Sequence, residues 1–119
     1  MTREPVAEDT DLSEVVDFLG DQHVRTILTA TSADPLSARE LSERCDLSVS
    51  AIYRRIERLQ AANLLEEGTR PRRDGHHDTV YVAALETFEL TIRDGELDWT
   101  AEGPESDVAD ELTRLWRKF

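Results

Sequence analysis

One cysteine, Cys45, and one lysine, Lys118, are all that 119 residues hold of either type. A lone cysteine excludes an internal disulfide and any CxxC metal pair. No apolar run approaches the roughly 18 to 20 residues that span a bilayer, and the opening MTREPVAEDTD has no apolar segment of the kind a secretory signal requires. The expected location is therefore the cytoplasm, without membrane contact. A glycine-rich phosphate loop, a nucleophile with a histidine base and a carboxylate pair on a recognisable scaffold are also missing. The chain reads as a non-enzyme that needs no cofactor.

Acid is abundant. Asp and Glu number 26 against 14 Lys and Arg, a formal net charge of −12, while 39% of the residues are apolar. That apolar share with regular spacing argues against disorder, and the length suits one domain. Excess carboxylate with almost no lysine resembles the surface chemistry of proteins from extreme halophiles, which implies a halophilic, archaeal setting.

Periodicity divides the chain. Residues 1–10 are polar and aperiodic and read as a flexible arm. Leu12, Val15, Val16 and Leu19 recur at helical spacing up to Gly20, and a second helix runs from about Asp21 to Ser32. Pro35 follows, and Ser37 with Glu40 forms a capping box for a short helix, Ala38 to Cys45. Ser48 then caps the helix of SVSAIYRRIERL. Beyond it the period becomes alternating: LLEEGTR and TVYVAA read as strands joined by PRRDGHHD. Phe88, Leu90 and Ile92, a turn at Asp94-Gly95, then Leu97 and Trp99 read as a second hairpin. From about Glu105 helical spacing returns with Val108, Leu112, Leu115, Trp116 and Phe119. The order predicts an α+β winged helix-turn-helix with a basic β-hairpin wing over residues 11–84, followed by an additional β-hairpin and a C-terminal helix over 85–119.

Positive charge is gathered in one part of this pattern. At 100° per residue Val49, Ile52, Ile56 and Leu59 fall on one side of their helix, the expected core side, and Ser50, Arg54 and Arg58 on the other. Tyr53 and Arg55 lie on the flanks, and the backbone N–H groups at Ser48 to Ser50 suit a phosphate. The wing adds Arg70, Arg72 and Arg73 beside His76 and His77. Residues 48–79 thus hold six of the 13 arginines, against five acids. A slim polar helix start followed by arginines is what major-groove readout needs, and arginines on a ribbon tip suit a narrow minor groove. The partner these features imply is double-stranded DNA.

Residues 36–83, LSARELSERCDLSVSAIYRRIERLQAANLLEEGTRPRRDGHHDTVYVA, resemble the winged-helix domain of ArsR-type bacterial and archaeal transcription regulators, in particular short acidic haloarchaeal members. The resemblance implies a homodimer on a roughly palindromic site, with Ser50, Ala51, Tyr53, Arg54 and Arg58 facing DNA. Metal-sensing members carry clustered cysteines, and a chain with Cys45 alone inherits no such function.

Other features have plainer readings. Adjacent His76 and His77 on a strand point to opposite faces and make a poor metal site, Cys45 reads as a small core residue, and His23 as a helix-surface residue. The stripe Val108, Leu112, Leu115, Trp116 and Phe119 is too apolar for water and is expected to join two copies, with the Phe88 to Trp99 hairpin as an alternative interface. A competing reading makes the whole chain a winged-helix protein-interaction adaptor of the transcription machinery, supported by its net negative charge.

Overall fold

The computed structural model describes the backbone of residues 3–5 and 11–105, with side chains over 11–104. Four helices come first after a short strand: β1 (Arg3–Pro5), α1 (Leu12–Leu19), α2 (Gln22–Ala33), α3 (Ala38–Cys45) and α4 (Val49–Ala61). Each helix starts on a side-chain cap. Asp11 accepts from the Ser13 N–H and Asp21 from the His23 N–H, while Ser48 accepts from the Ala51 N–H. At α3 the capping box forms as the sequence predicts, with Ser37 and Glu40 each taking the other's backbone N–H.

The two helices of the central motif end alike. Asp46 and Asn63 take left-handed φ of 54° and 62°, and the next N–H reaches back five residues, Leu47 to the Ser42 carbonyl and Leu64 to the Leu59 carbonyl. This closure leaves few orphan carbonyls and turns the chain sharply, and Asp and Asn are the non-glycine residues that tolerate it best. The Ser42 hydroxyl donates to the Leu47 carbonyl, which fixes the α3–α4 turn.

Two antiparallel sheets follow. β2 (Leu65–Pro71) pairs with β3 (His77–Ala83), and β4 (Thr87–Arg93) pairs with β5 (Glu96–Glu105), which also takes β1 along its other edge. Leu36, between α2 and α3, exchanges two backbone hydrogen bonds with Tyr81, so the β2–β3 hairpin is stitched to the helices. The core lies between α1–α4 and the base of this hairpin, where Ile27, Leu41, Ile52, Ile56, Leu59 and Leu64 are fully buried. Thr31, also buried, donates to the Ile27 carbonyl, and among the described residues no buried side-chain polar atom lacks a partner.

Four expectations change. The polar arm contains a strand, because Arg3–Pro5 pair with Glu105 and Glu102 of β5, where backbone hydrogen bonding needs no apolar period. β5 runs on to Glu105, where helical spacing was expected to begin, and the wing strands extend into PRRDGHHD as far as Pro71 opposite His77. Val49 was expected in the core and is exposed. Its angular position is right, but its side of the first turn of α4 is left uncovered, although Ala51 and Ile52 in the same turn are buried. The expected C-terminal helix, with Val108, Leu112, Leu115, Trp116 and Phe119, lies outside the described residues.

Candidate nucleic-acid interface

The outer face of α4 is built by burying its opposite side. Ile52, Ile56 and Leu59 lie in the core, and Ser48, Ser50, Tyr53, Arg54, Glu57 and Arg58 are exposed. The first turn of a helix leaves backbone N–H groups without intrahelical partners, and the Ser48 hydroxyl takes only that of Ala51. The start of α4 therefore presents small hydroxyls and N–H donors, as the sequence reading anticipates.

α4 is covered on a second side as well. Arg55 donates through Nε to Asp21 Oδ2 at 3.1 Å and through Nη1 to the Ala51 carbonyl at 3.2 Å, which ties α4 to the start of α2. Burial opposes charge on Asp21, but the His23 N–H and the Arg55 guanidinium outweigh it and hold that carboxyl below its ordinary value. Ala51, which the resemblance places on the DNA side, is instead buried beside this bridge. Arg55 is thus committed to the fold. Arg58, an exposed residue, sits over the ring of buried Phe18 with its guanidinium carbon 5.1 Å from the centroid, a cation–π contact. Arg54 makes no ion pair or hydrogen bond among the described residues.

The wing repeats this division. Arg70 bonds Glu40 Oε1 at 2.8 Å, Asp78 Oδ2 at 3.2 Å and the Pro35 carbonyl at 3.4 Å, so it clamps β2 to β3 and to the cap of α3. The Ser37 N–H first and the Arg70 guanidinium second hold Glu40 below the usual carboxylate range, and these carboxylates raise Arg70 further above its already high value. Arg72 pairs with Asp74 at 3.2 Å and Asp78 at 3.5 Å while remaining half exposed. Arg73 at the tip makes no ion pair among the described residues. His76 and His77 are exposed, with His76 Nδ1 3.3 Å from Asp74. No group of His, Cys, Asp and Glu that could hold a metal occurs among the described residues.

The fold brings wing and helix together. Gln60 of α4 donates to Glu67 of β2 at 3.4 Å, and burial, with the nearby Tyr53 and Glu67, pushes the Tyr81 phenol up. Of the six clustered arginines, then, Arg54 and Arg73 have no partner among the described residues, Arg58 is seated on a ring, and Arg55, Arg70 and Arg72 are paired internally. What sequence reasoning missed is the set of acids doing this. Asp78 was only nearly within reach: a two-residue turn at Asp74-Gly75 would set Thr79 opposite Arg70, and the three-residue turn shifts the register by one and brings Asp78 there. Asp21 and Glu40 were not, because they meet their arginines 34 and 30 residues away in sequence. Cys45 is buried and its thiol is pushed up by that burial, which keeps it neutral and unreactive.

No helix among the described residues is long and apolar enough to cross a membrane. Comparison with curated proteins and with solved structures finds no match. Residues 19–68, from the end of α1 through α2, α3 and α4 into β2, match the family model described as a helix-turn-helix domain. With two antiparallel hairpins after its helices the chain has the α+β winged-helix fold, and its matched segment is similar to domains of the kind that set their second helix on DNA.

Proposed function

We propose that the chain is a sequence-specific, DNA-binding transcription regulator acting as a homodimer, ArsR-like and set in the concentrated salt of a halophilic archaeon. The helix from Ser48 to Asn63 enters the major groove, and the wing from Arg70 to His77 lies on the flanking groove or backbone. The observation that carries this reading is the outer face of α4, where Ser50, Tyr53 and Arg54 are exposed and Arg54 has no partner among the described residues. Arginine offers paired donors to the edge of guanine, and a short polar start lets the helix approach the bases. Two copies bring two such helices to a two-fold site, and residues 85–119, with the stripe Val108, Leu112, Leu115, Trp116 and Phe119, hold them together.

The internal pairing of Arg55, Arg70 and Arg72 favours one quantitative expectation. Each phosphate neutralised contributes a slope of about −0.9 to the logarithmic salt dependence. With Arg54, Arg58 and Arg73 available, each protomer should show about half the slope of six free arginines. Such binding persists better where salt is concentrated.

The test is selection of bound duplexes from a randomised pool, followed by fluorescence anisotropy on the enriched sequence from about 0.1 to about 2 M KCl. A palindromic motif bound with a shallow salt slope supports the reading. The same internal pairing, in a chain of net charge −12, is what favours the second reading, a winged-helix adaptor that binds protein. Absence of binding to any duplex at low salt would establish that alternative over the first.

A further inference from the structure

The β4–β5 hairpin has one apolar face that is bare towards its turn among the described residues, while Ala101 at its base is buried. Its register sets Phe88 opposite Ala101, Leu90 opposite Trp99 and Ile92 opposite Leu97, and strand alternation puts all six on one side. The other side carries Glu89, Thr91, Arg93, Glu96, Asp98 and Thr100. Towards the turn the apolar face is bare, with Leu90 45%, Leu97 50% and Ile92 76% exposed. Phe88 and Trp99 are in ring contact at 6.1 Å and continue that surface towards the base.

The chain leaves β5 at Glu105 with residues 106–119 still to place. Their apolar positions, Val108, Leu112, Leu115, Trp116 and Phe119, fall within about 100° at helical spacing. From Val108 to Phe119 such a stripe is about 17 Å long, and the strand face from Phe88 to Ile92 about 13 Å. Charge matches in one direction. Arg114, Arg117 and Lys118 stand at the end of the segment, and Asp94, Glu96 and Asp98 at the turn end of the hairpin.

We infer that the apolar face of β4–β5 is the dock for the 106–119 segment of a second copy, given and received reciprocally, with the cationic end of the segment over the acidic turn. The inference rests on the homodimer reading. Apart from this face, the large exposed apolar side chains among the described residues are Val16, on α1, and Val49 and Tyr53, on α4. Were face and stripe to cover each other within one chain, Val16 would be the one large exposed apolar side chain left, among the described residues outside α4, for a dimer contact. Exchanged between copies, they form two equivalent contacts about a two-fold axis.

The test uses the full chain with Cys45→Ala, which removes the one native thiol. Leu97→Cys and Phe119→Cys are introduced separately and the two proteins mixed and oxidised, while a third protein carries both. The expected result is a cross-linked pair in the mixture, and a product of twice the chain mass from the double variant. A disulfide that closes within one chain overturns the inference. So does absence of cross-linking in a protein that light scattering shows to be dimeric, an outcome that leaves the homodimer reading standing. A protein monomeric at every concentration removes both. Ile92→Asp supplies an independent arm, since at so exposed a position it spares the fold. Dimer dissociation should rise at least tenfold with the helical circular dichroism unchanged, and an unchanged dimer overturns the inference.

Discussion

Both hairpins turn on an Asp-Gly pair, yet they present opposite surfaces. In β4–β5 the two turn residues, Asp94 and Gly95, have φ of 54° and 79°, the paired positive values of a two-residue type I′ turn. In β2–β3 only Gly75 is positive, at 85°. Its N–H reaches the Arg72 carbonyl and Arg72 N–H the His76 carbonyl, a three-residue turn closed by a glycine bulge. The longer turn gives the wing a tip of Arg73, Asp74 and Gly75 and room for cross-strand ion pairs behind it. On one face Leu65, Tyr81 and Ala83 are spent on the core, and on the other Val80 is buried too. In the second hairpin the cross-strand pairs are apolar and exposed. One ribbon is thus finished by the chain's own core and shows polar groups outward, and the other awaits a protein surface. Two alternations of similar legibility differ in where the rest of the chain leaves them.

The contrast breaks first, and hardest, on stability. Tyr81 is buried and holds the wing to the helices through its backbone bonds to Leu36, so Tyr81→Ala should cost about 3 kcal/mol. Ile92→Ala, on the open hairpin, should change the unfolding free energy of the isolated chain by less than about 0.5 kcal/mol. Urea unfolding of both variants at dilute concentration measures the difference. Equal costs would mean that the second hairpin is packed as firmly as the first.

The wing and α4 are next compared on DNA. Arg54→Ala, removing an unpaired arginine from the outer face of α4, should weaken specific binding by about 1 to 3 kcal/mol and relax base preference. Arg72→Ala, at a side chain already shared between Asp74 and Asp78, should cost less than about 1 kcal/mol and affect all sequences alike. Anisotropy titrations on the selected and on scrambled duplexes check both. A larger loss for Arg72 would place recognition in the wing.

Much of this was legible beforehand because it is local. The caps at Ser37 and Ser48, the start and end of α3, and both Asp-Gly turns depend on residues within four positions of one another, where side-chain chemistry decides the backbone. The apolar face of Phe88, Leu90, Ile92, Leu97 and Trp99 followed from alternation alone. What stayed hidden depends on distance in sequence. That Arg55 serves Asp21 and Arg70 serves Glu40 follows from how α2, α3 and the wing pack, so an arginine cluster that read as uniformly available is half structural. Val49 and Ala51 fail for a related reason. A helical projection gives direction, and burial depends on whether a neighbour lies there. β1 escaped because a strand added at a sheet edge draws on backbone groups that carry no sequence signature.

The smallest effect tests the clamp that separates wing from groove. Glu40 serves twice, closing the cap of α3 and receiving Arg70, and both contacts favour its ionised form, so its folded pKa is depressed. The unfolded chain therefore takes up the proton first. The stabilisation is fully present above the unfolded value of about 4.3 and fades as pH falls through the lower folded value. Both partners are more than a third exposed, which limits the pair to about 0.2 to 1 kcal/mol. Glu40→Gln keeps an acceptor for the Ser37 N–H while removing the charge. Its unfolding free energy should lie below that of the native chain at neutral pH and converge with it below about pH 4, the two curves being compared by urea denaturation at fixed salt. The same substitution frees Arg70 from one of its two carboxylates, so the salt slope for DNA should steepen by no more than about 1 per protomer. A slope that stays fixed while stability falls would show Arg70 to be a clamp alone, leaving the wing to act on DNA through Arg72 and Arg73.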